Sequence, residues 1–591
     1  MNYFIVLFFS IVSAFVIPAF IEIKKIAALP DFFIKFDFGA FTAVLIFFFI
    51  DYLIFDKLAA YPESRKSKYK NIGALAYSPV IFLFFYKYIY CRINFLDRNI
   101  NGELKEIKYL IGVVAALIIV FKIIAFCYFY FKKKVNEKEF KLKEWILACF
   151  FVYVFFPGVI LKYYAGSAGD EKEYILNVYS LANNFELNLV DDIKYVKEIT
   201  GGSEHAPPLN FYPKKNKIYS LHSNLIPFHL VLLIPYYAFG RIGIILLMTV
   251  INAFLALILY KIAKLCVKSG SFDSIEVFFY WSAVIISPFF FIYNYQIYPE
   301  IAAGLANAVF VYIAKKRKIT ELYFITIILS GLIFWFNFRY VFFGVSYILI
   351  YFFTVGLKNI FNKKNLIIPV VFMVSIILYL IANFLIYDDF SFSANTLNKE
   401  SRFLGYDFYR TIPALFFDQH YGVFFYMPAI AYFLFGFFRT ALFSKLKTEI
   451  LLILFYLIPL SFYSGNWFGG QSPPFRLIIP IIPLIYIGGI SVIENIMKTR
   501  ISKWVFIIFT VYGIIINIIL FAIPGLLYNL RFNGNNQIFE KIEWYCSIPV
   551  VKFFPSFMRN SDLPHSYKLT FIYFCVIITL YLIYRKEVKE K

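Results

Sequence analysis

Residues 224–239 read NLIPFHLVLLIPYYAF, and how they are counted fixes the topology of the whole chain. The stretch is apolar enough for a short membrane span. It also holds Pro227 and Pro235 and is only 16 residues long, against the ~20 of a spanning helix. Counting it as a span would throw Lys315, Lys316, Arg317 and Lys318 to the outside. It therefore reads as a juxtamembrane or re-entrant helix on the outer face.

The rest of the chain supplies that argument. Of 591 residues, 61% are hydrophobic and 16% charged, with mean hydropathy +0.72. That composition excludes an ordinary soluble domain. Apolar runs of continuous rather than alternating sequence exclude a β-barrel. Sixteen runs read as helical spans: 2–20, 38–56, 73–90, 109–131, 144–163, 241–260, 275–293, 300–314, 320–337, 341–357, 365–387, 421–438, 449–464, 476–494, 504–524 and 568–584. The first lacks a basic flank and a cleavage site, so it reads as a retained helix and not a signal peptide.

Eight basic clusters, at 57–70, 132–143, 261–268, 315–318, 358–364, 439–447, 498–503 and 585–591, hold 31 of the 58 Lys and Arg and 5 of the 36 Asp and Glu. With the N-terminus inside, all eight fall on one side, as the positive-inside rule requires. They contribute 31 − 5 = +26 of a net +22, leaving −4 elsewhere. The basic excess is thus a topology signal and predicts no nucleic-acid partner. No CxxC pair or disulfide framework is present among the six cysteines. The abundance of Phe and Tyr reads as compositional bias without functional weight.

The outer side then collects loops 164–223, 388–420, 465–475 and 525–567, with all five histidines. Asp170 and Glu171 follow Gly169 at the start of an apolar periodicity (Tyr174, Ile175, Val178, Leu181) that predicts a helix along the membrane surface. Their chemistry suits a general base or metal ligand; the alternative is a pair of capping acids complementing the helix dipole. His205 and His222 lie in the same loop and read most simply as polar loop residues. Glu300 follows Pro299 at a helix start, where dipole complementarity and function compete. Arg339 and Arg476 are cations on the depleted side, hence candidate phosphate ligands; the alternative is headgroup binding. Asp418, His420 and Trp467 complete the polar outer segments, Trp467 also fitting an interfacial aromatic.

The ordered pieces Gly169-Asp170-Glu171, Tyr219-Ser220-Leu221-His222, Tyr298-Pro299-Glu300, Asp418-Gln419-His420-Tyr421-Gly422 and Trp467-Phe468-Gly469-Gly470-Gln471-Ser472-Pro473-Pro474-Phe475-Arg476 resemble the GT-C glycosyltransferase superfamily. The resembling branch groups protein O-mannosyltransferases with aminoarabinose transferases, and the likeness covers about 144–525. After His222 the chain reads Ser-Asn-Leu, where relatives often have Gly-Pro. The resemblance implies an all-α polytopic membrane enzyme of a bacterial or archaeal plasma membrane, with its site facing outward. It implies a polyprenyl-phosphate sugar donor, a glycan, lipid or protein acceptor, and contact with membrane lipid. Asp170 would be the base, with Glu171 and Glu300 as further acids near the acceptor. Arg339, Arg476, His222, Asp418, His420 and Trp467 would bind substrate or its phosphate. Some relatives use a divalent metal cation and some do not. On this reading 1–143 are N-terminal membrane helices without assigned role, 144–525 the catalytic region, and 526–591 an outer loop and final span. A flippase or transporter of a lipid-linked or anionic solute is the alternative, as is a surface-polysaccharide ligase or polymerase.

Overall fold

A computed structural model describes residues 169–193, 211–214, 216–266, 276–356, 360–388, 408–439, 446–462, 472–527, 535–558 and 562–590, with isolated positions between 147 and 167 and at 358, 390 and 469. The four expected spans before residue 143, His205 and Trp467 lie outside the described residues. The chain divides into two compact units, Met1–Ile160 with Ile518–Ile523, and Leu161–Asn517 with Pro524–Lys591. The second carries every site residue discussed below.

That unit is helical. It begins with α1 (Glu171–Asn184), a two-stranded antiparallel hairpin of β1 (Phe211–Lys214) and β2 (Lys217–Ser220), and α2 (Ile226–Cys266). Then come α3 (Glu276–Ile285), α4 (Pro288–Tyr293), α5 (Pro299–Lys316), α6 (Ile319–Leu332), α7 (Val341–Val355) and α8 (Lys363–Tyr387). After α9 (Phe408–Phe417), α10 (Val423–Tyr426), α11 (Ile430–Arg439) and α12 (Lys447–Ser461), a 3₁₀ segment (Arg476–Ile481) leads into α13 (Ile482–Lys498). The chain finishes with α14 (Ile501–Ala522), α15 (Gln537–Cys546) and α16 (Leu563–Lys589).

Five described helical stretches are long and apolar enough to cross a membrane: Ile226–Leu265, Phe338–Val355, Lys363–Tyr387, Ile501–Phe521 and Leu563–Lys589. The opening stretch, 224–239, is helical as read, but it is not separate from the run after it. α2 carries both, interrupted at Gly240, whose backbone (φ 60°, ψ −146°) leaves the helical region. Only glycine adopts those angles without strain. The run 421–438, read as one span, is broken instead into α10 and α11 around Met427–Ala429. The hairpin lies within the stretch 164–223 that reads as loop; Lys214 pairs with Lys217, and neither a glycine at the turn nor a proline-free first strand marks it in the sequence.

α5 is central. It packs on α2, on Arg476–Ile481, on α13 and on α6. Its face of small residues allows the approach: a Cβ on Gly304 would sit 3.4 Å from Pro483 Cγ. α11 and α13 pack closer still. A Cβ on Gly489 would fall 2.2 Å from Phe433 Cδ1, so no larger residue fits without moving that ring.

The irregular backbone at 473–481 poses a hydrogen-bonding problem, because a carbonyl buried in an apolar setting needs a donor. Tyrosines supply much of the answer. Tyr293 Oη shares its proton between the carbonyls of Pro473 (3.0 Å) and Pro474 (2.6 Å), and Tyr456 Oη donates to that of Leu477 (2.6 Å); Tyr280 Oη donates to the Tyr486 carbonyl within α13 (2.6 Å). Asn307 Nδ2 donates to Pro480 (2.9 Å) and is itself oriented by Tyr347 Oη (2.6 Å). The tyrosine abundance set aside as compositional bias therefore holds together the segment that delivers Arg476.

Candidate functional site: a buried carboxylate–arginine cluster

Helical periodicity sorts the acids of α1. Asp170, Glu173, Tyr174 and Asn177 recur at helical spacing and share one face, whereas Glu171 lies about 100° away. Asp170 precedes the helix but makes no side-chain cap bond to it. Its carboxylate reaches out to Arg476 Nη1 at 2.6 Å and lies 3.4 Å from His222 Nε2. Glu173 Oε2 is 3.8 Å from the same nitrogen. Further along that face Asn177 Nδ2 donates to Ser220 Oγ (2.7 Å) and Asn177 Oδ1 accepts from Ser223 Oγ (3.0 Å), which fixes the end of the hairpin and so His222.

Glu171 points elsewhere. Its Oε1 accepts the Ile297 backbone N–H (2.7 Å) and its Oε2 pairs with Lys162 (2.6 Å), which also donates to Gln296 (3.0 Å). The carboxylate is fully buried. Expected on sequence beside Asp170 at a reaction centre, Glu171 is instead engaged in fastening α1 to the segment that leads into α5.

Glu300 enters on the first turn of α5, after Pro299, where the helix dipole favours its charge. One of its oxygens receives both arginines: Arg476 Nε at 2.7 Å and Arg339 Nη2 in a short bond. Glu300 is wholly buried. Arg339 is delivered by a 3₁₀ turn (Phe338–Tyr340) whose N-cap residue, Asn337, accepts the Arg339 backbone N–H on Oδ1. Arg476 follows Phe475, which sits in the left-handed region at φ 48° and donates its N–H to the Tyr421 carbonyl (3.0 Å). Such a residue costs of order 1 kcal/mol or more and persists only when its surroundings over-determine it; here the Tyr293 and Tyr426 rings do so. The Arg476 guanidinium also lies 4.3 Å above the Tyr298 ring and 3.4 Å from Tyr174 Oη. Glu173 has no role in the sequence reading, and Tyr174 and Tyr298 enter it only as an apolar position and as part of a motif. The helical spacing from Asp170 pointed to the first two.

The cluster thus sets two guanidiniums against two carboxylates, with His222 and Glu173 alongside. Burial opposes ionisation of Asp170, but Arg476 and His222 outweigh it and hold the carboxyl well below its usual range. Burial likewise opposes protonation of His222, and Asp170 and Glu173 overcome it, raising the imidazole. Asp170 is the accessible acid, its side chain 27% exposed against 0% for Glu300.

Asp418 and His420 belong to a different constellation. Asp418 Oδ1 accepts the N–H groups of His420 and Tyr421 (both 2.9 Å), and Oδ2 accepts that of Phe557 (2.8 Å). Gly422 is required in this turn because a Cβ would lie 2.5 Å from Asp418 backbone atoms. Expected as substrate ligands, the two residues are placed in a latch between 418–422 and 536–557. Burial pushes the Asp418 carboxyl up to about 6 despite those three donors.

Asp170, Glu173 and His222 offer ligand atoms all within 4.8 Å of one another. Two carboxylates and an imidazole fit a divalent cation such as Mn²⁺ or Zn²⁺. No family model, curated protein or solved structure matches the chain.

Proposed function

We propose that the chain is a membrane glycosyltransferase. It moves a sugar from a polyprenyl-phosphate donor to a glycan, lipid or protein acceptor on the outer face of a bacterial or archaeal plasma membrane. The observation that carries this reading is Arg476, bonded through Nε to Glu300 and through Nη1 to the more exposed Asp170, with Arg339 on the same Glu300 oxygen. A buried guanidinium with a partly buried one beside it suits a developing phosphate charge, and a carboxylate next to them suits the acceptor's proton.

The acceptor oxygen attacks the anomeric carbon while the bond from that carbon to the phosphate oxygen breaks, its electron pair leaving with the lipid phosphate. Glu300 keeps Arg339 and Arg476 ionised and aimed, and the arginines stabilise the leaving charge. Asp170 takes the proton. Held by Arg476 it is a weak base, so phosphate competing for that guanidinium raises its basicity as the reaction needs it. Where a divalent cation is used, Asp170, Glu173 and His222 would hold it, and it would supply charge neutralisation at the acceptor side. The apolar helices supply the surroundings a lipid tail requires.

The test is transfer of label from a polyprenyl-phosphate monosaccharide by the protein reconstituted in liposomes. A labelled covalent product supports the reading. Label entering vesicles without a new product supports a transporter and overturns it.

A further inference from the structure

Residues 535–558 have one fastened face and one bare face. On the fastened side Ile538 and Phe539 are buried, Asn536 Nδ2 donates to the Gln419 carbonyl (2.7 Å) and to Tyr426 Oη (3.0 Å), and the Phe539 and Phe554 rings stack at 4.2 Å. On the other side Ile542, Trp544, Tyr545, Ile548 and Phe553 are exposed, Trp544 by 77% and Phe553 by 55%. The Trp544 and Tyr545 rings meet at 4.7 Å, and a group of exposed large apolar side chains, here interspersed with Lys541 and Lys552, marks an interaction site.

The position of the segment says with what. Tyr573 Oη donates to the Phe553 carbonyl (2.9 Å), and its ring stacks on Phe554 at 6.0 Å. Tyr573 is ten residues beyond Leu563, the start of α16, which is about 15 Å along the axis. Phe553 therefore lies beside the body of α16 and not beyond its end. At that level α16 presents Phe571, Ile572 and Phe574, with Phe571 67% exposed, on a helix apolar enough to cross a membrane.

We propose that residues 542–553 insert into the leaflet around the first half of α16, as an interfacial wedge whose partner is bilayer lipid. Trp544 and Tyr545 are the residue types that settle at headgroup level, and Ile548 and Phe553 reach below them. The wedge continues the lipid-facing surface of α16. Through Gln419 N–H to Pro555 carbonyl (2.8 Å) and Phe557 N–H to Asp418 it also ties the leaflet to the latch preceding α10. This holds whatever reaction the arginine cluster serves.

The test uses the full chain in phosphatidylcholine vesicles. A nitroxide is placed on the exposed Cys546, with Cys91, Cys127, Cys149, Cys266 and Cys575 changed to serine. Expected is a label relaxed by oxygen more than by a water-soluble nickel chelate, at a depth of roughly 5–10 Å into the headgroup and acyl boundary. A label open to the chelate overturns the proposal, as does label–label broadening that shows a second copy on this face. A second measurement keeps every cysteine: brominated lipid should quench the wild-type chain more than Trp544→Phe. Equal quenching overturns the proposal.

Discussion

Replacing Glu300 by glutamine should be among the most damaging single changes in this protein, and the damage should be electrostatic. Glutamine keeps the size and an accepting oxygen but removes the charge that one carboxylate oxygen presents to Arg476 Nε at 2.7 Å and to Arg339. Glu300 has no exposed surface, and the Arg476 side chain is 6% exposed, so water cannot take over. Removing one partner of a buried pair costs ~3–5 kcal/mol, because the remaining charge is left uncompensated. Glu300→Gln should lose that much. Arg339→Met should also be destabilising, but the two together should cost less than the sum of the singles by ~0.5–3 kcal/mol, since each relieves the charge the other strands. Asp170→Asn is the control. Its carboxylate is partly exposed, so solvent screening holds its loss to about 1 kcal/mol. The assay is denaturant unfolding in mixed micelles followed by tryptophan fluorescence. Glu300→Gln within about 1 kcal/mol of wild type, or strict additivity in the cycle, would refute the ionised cluster.

Other outcomes follow from the same geometry. Asp170→Asn should abolish sugar transfer by about 10²–10⁴-fold while the protein still accumulates in membranes; near wild-type transfer removes Asp170 as base. Arg476→Lys should fail to restore donor use lost in Arg476→Ala, because an ammonium cannot present separate donors to Glu300 and Asp170; full rescue would show that charge alone suffices. Mn²⁺ binding by the solubilised protein should weaken at least about tenfold in Glu173→Gln, and equal affinity would discard the Asp170–Glu173–His222 site. For Asp418 the folded carboxyl lies above its ordinary 3.8, at about 6. Its contribution to stability is therefore complete below the lower value and is lost as pH rises through the upper one, by about 3 kcal/mol in all. Wild type should gain on Asp418→Asn as pH falls from 8 to 4; a gap that widens in the opposite sense contradicts the burial argument.

The sequence by itself determined the class of the protein and the presence of its chemically relevant residues. Continuous apolar runs leave only helices as a way to satisfy backbone groups away from water; Arg339 and Arg476 stand out as cations away from the basic clusters, Asp170 as a carboxylate after Gly169, and Glu300 as a carboxylate entering an apolar helix. Local rules carried further still: Pro299 at a helix start and the helix after Gly169 stand where spacing placed them. Tertiary structure decided the partners. Nothing local says that Arg476, 306 residues from Asp170, closes on it, or that Glu171 turns toward Lys162 while Asp170 does not. That choice depends on which face of α1 meets the hairpin and which meets the approach to α5. It also decided that Asp418 serves a backbone latch, because a carboxylate is equally suited to a ligand and to three N–H donors, and only packing brings the Phe557 N–H within reach. The kink at Gly240 and the tyrosines that satisfy the 473–481 carbonyls have the same origin. Periodicity reports that a side chain is buried, but hydrogen bonds between segments hundreds of residues apart report to what, and those exist only once the helices have packed.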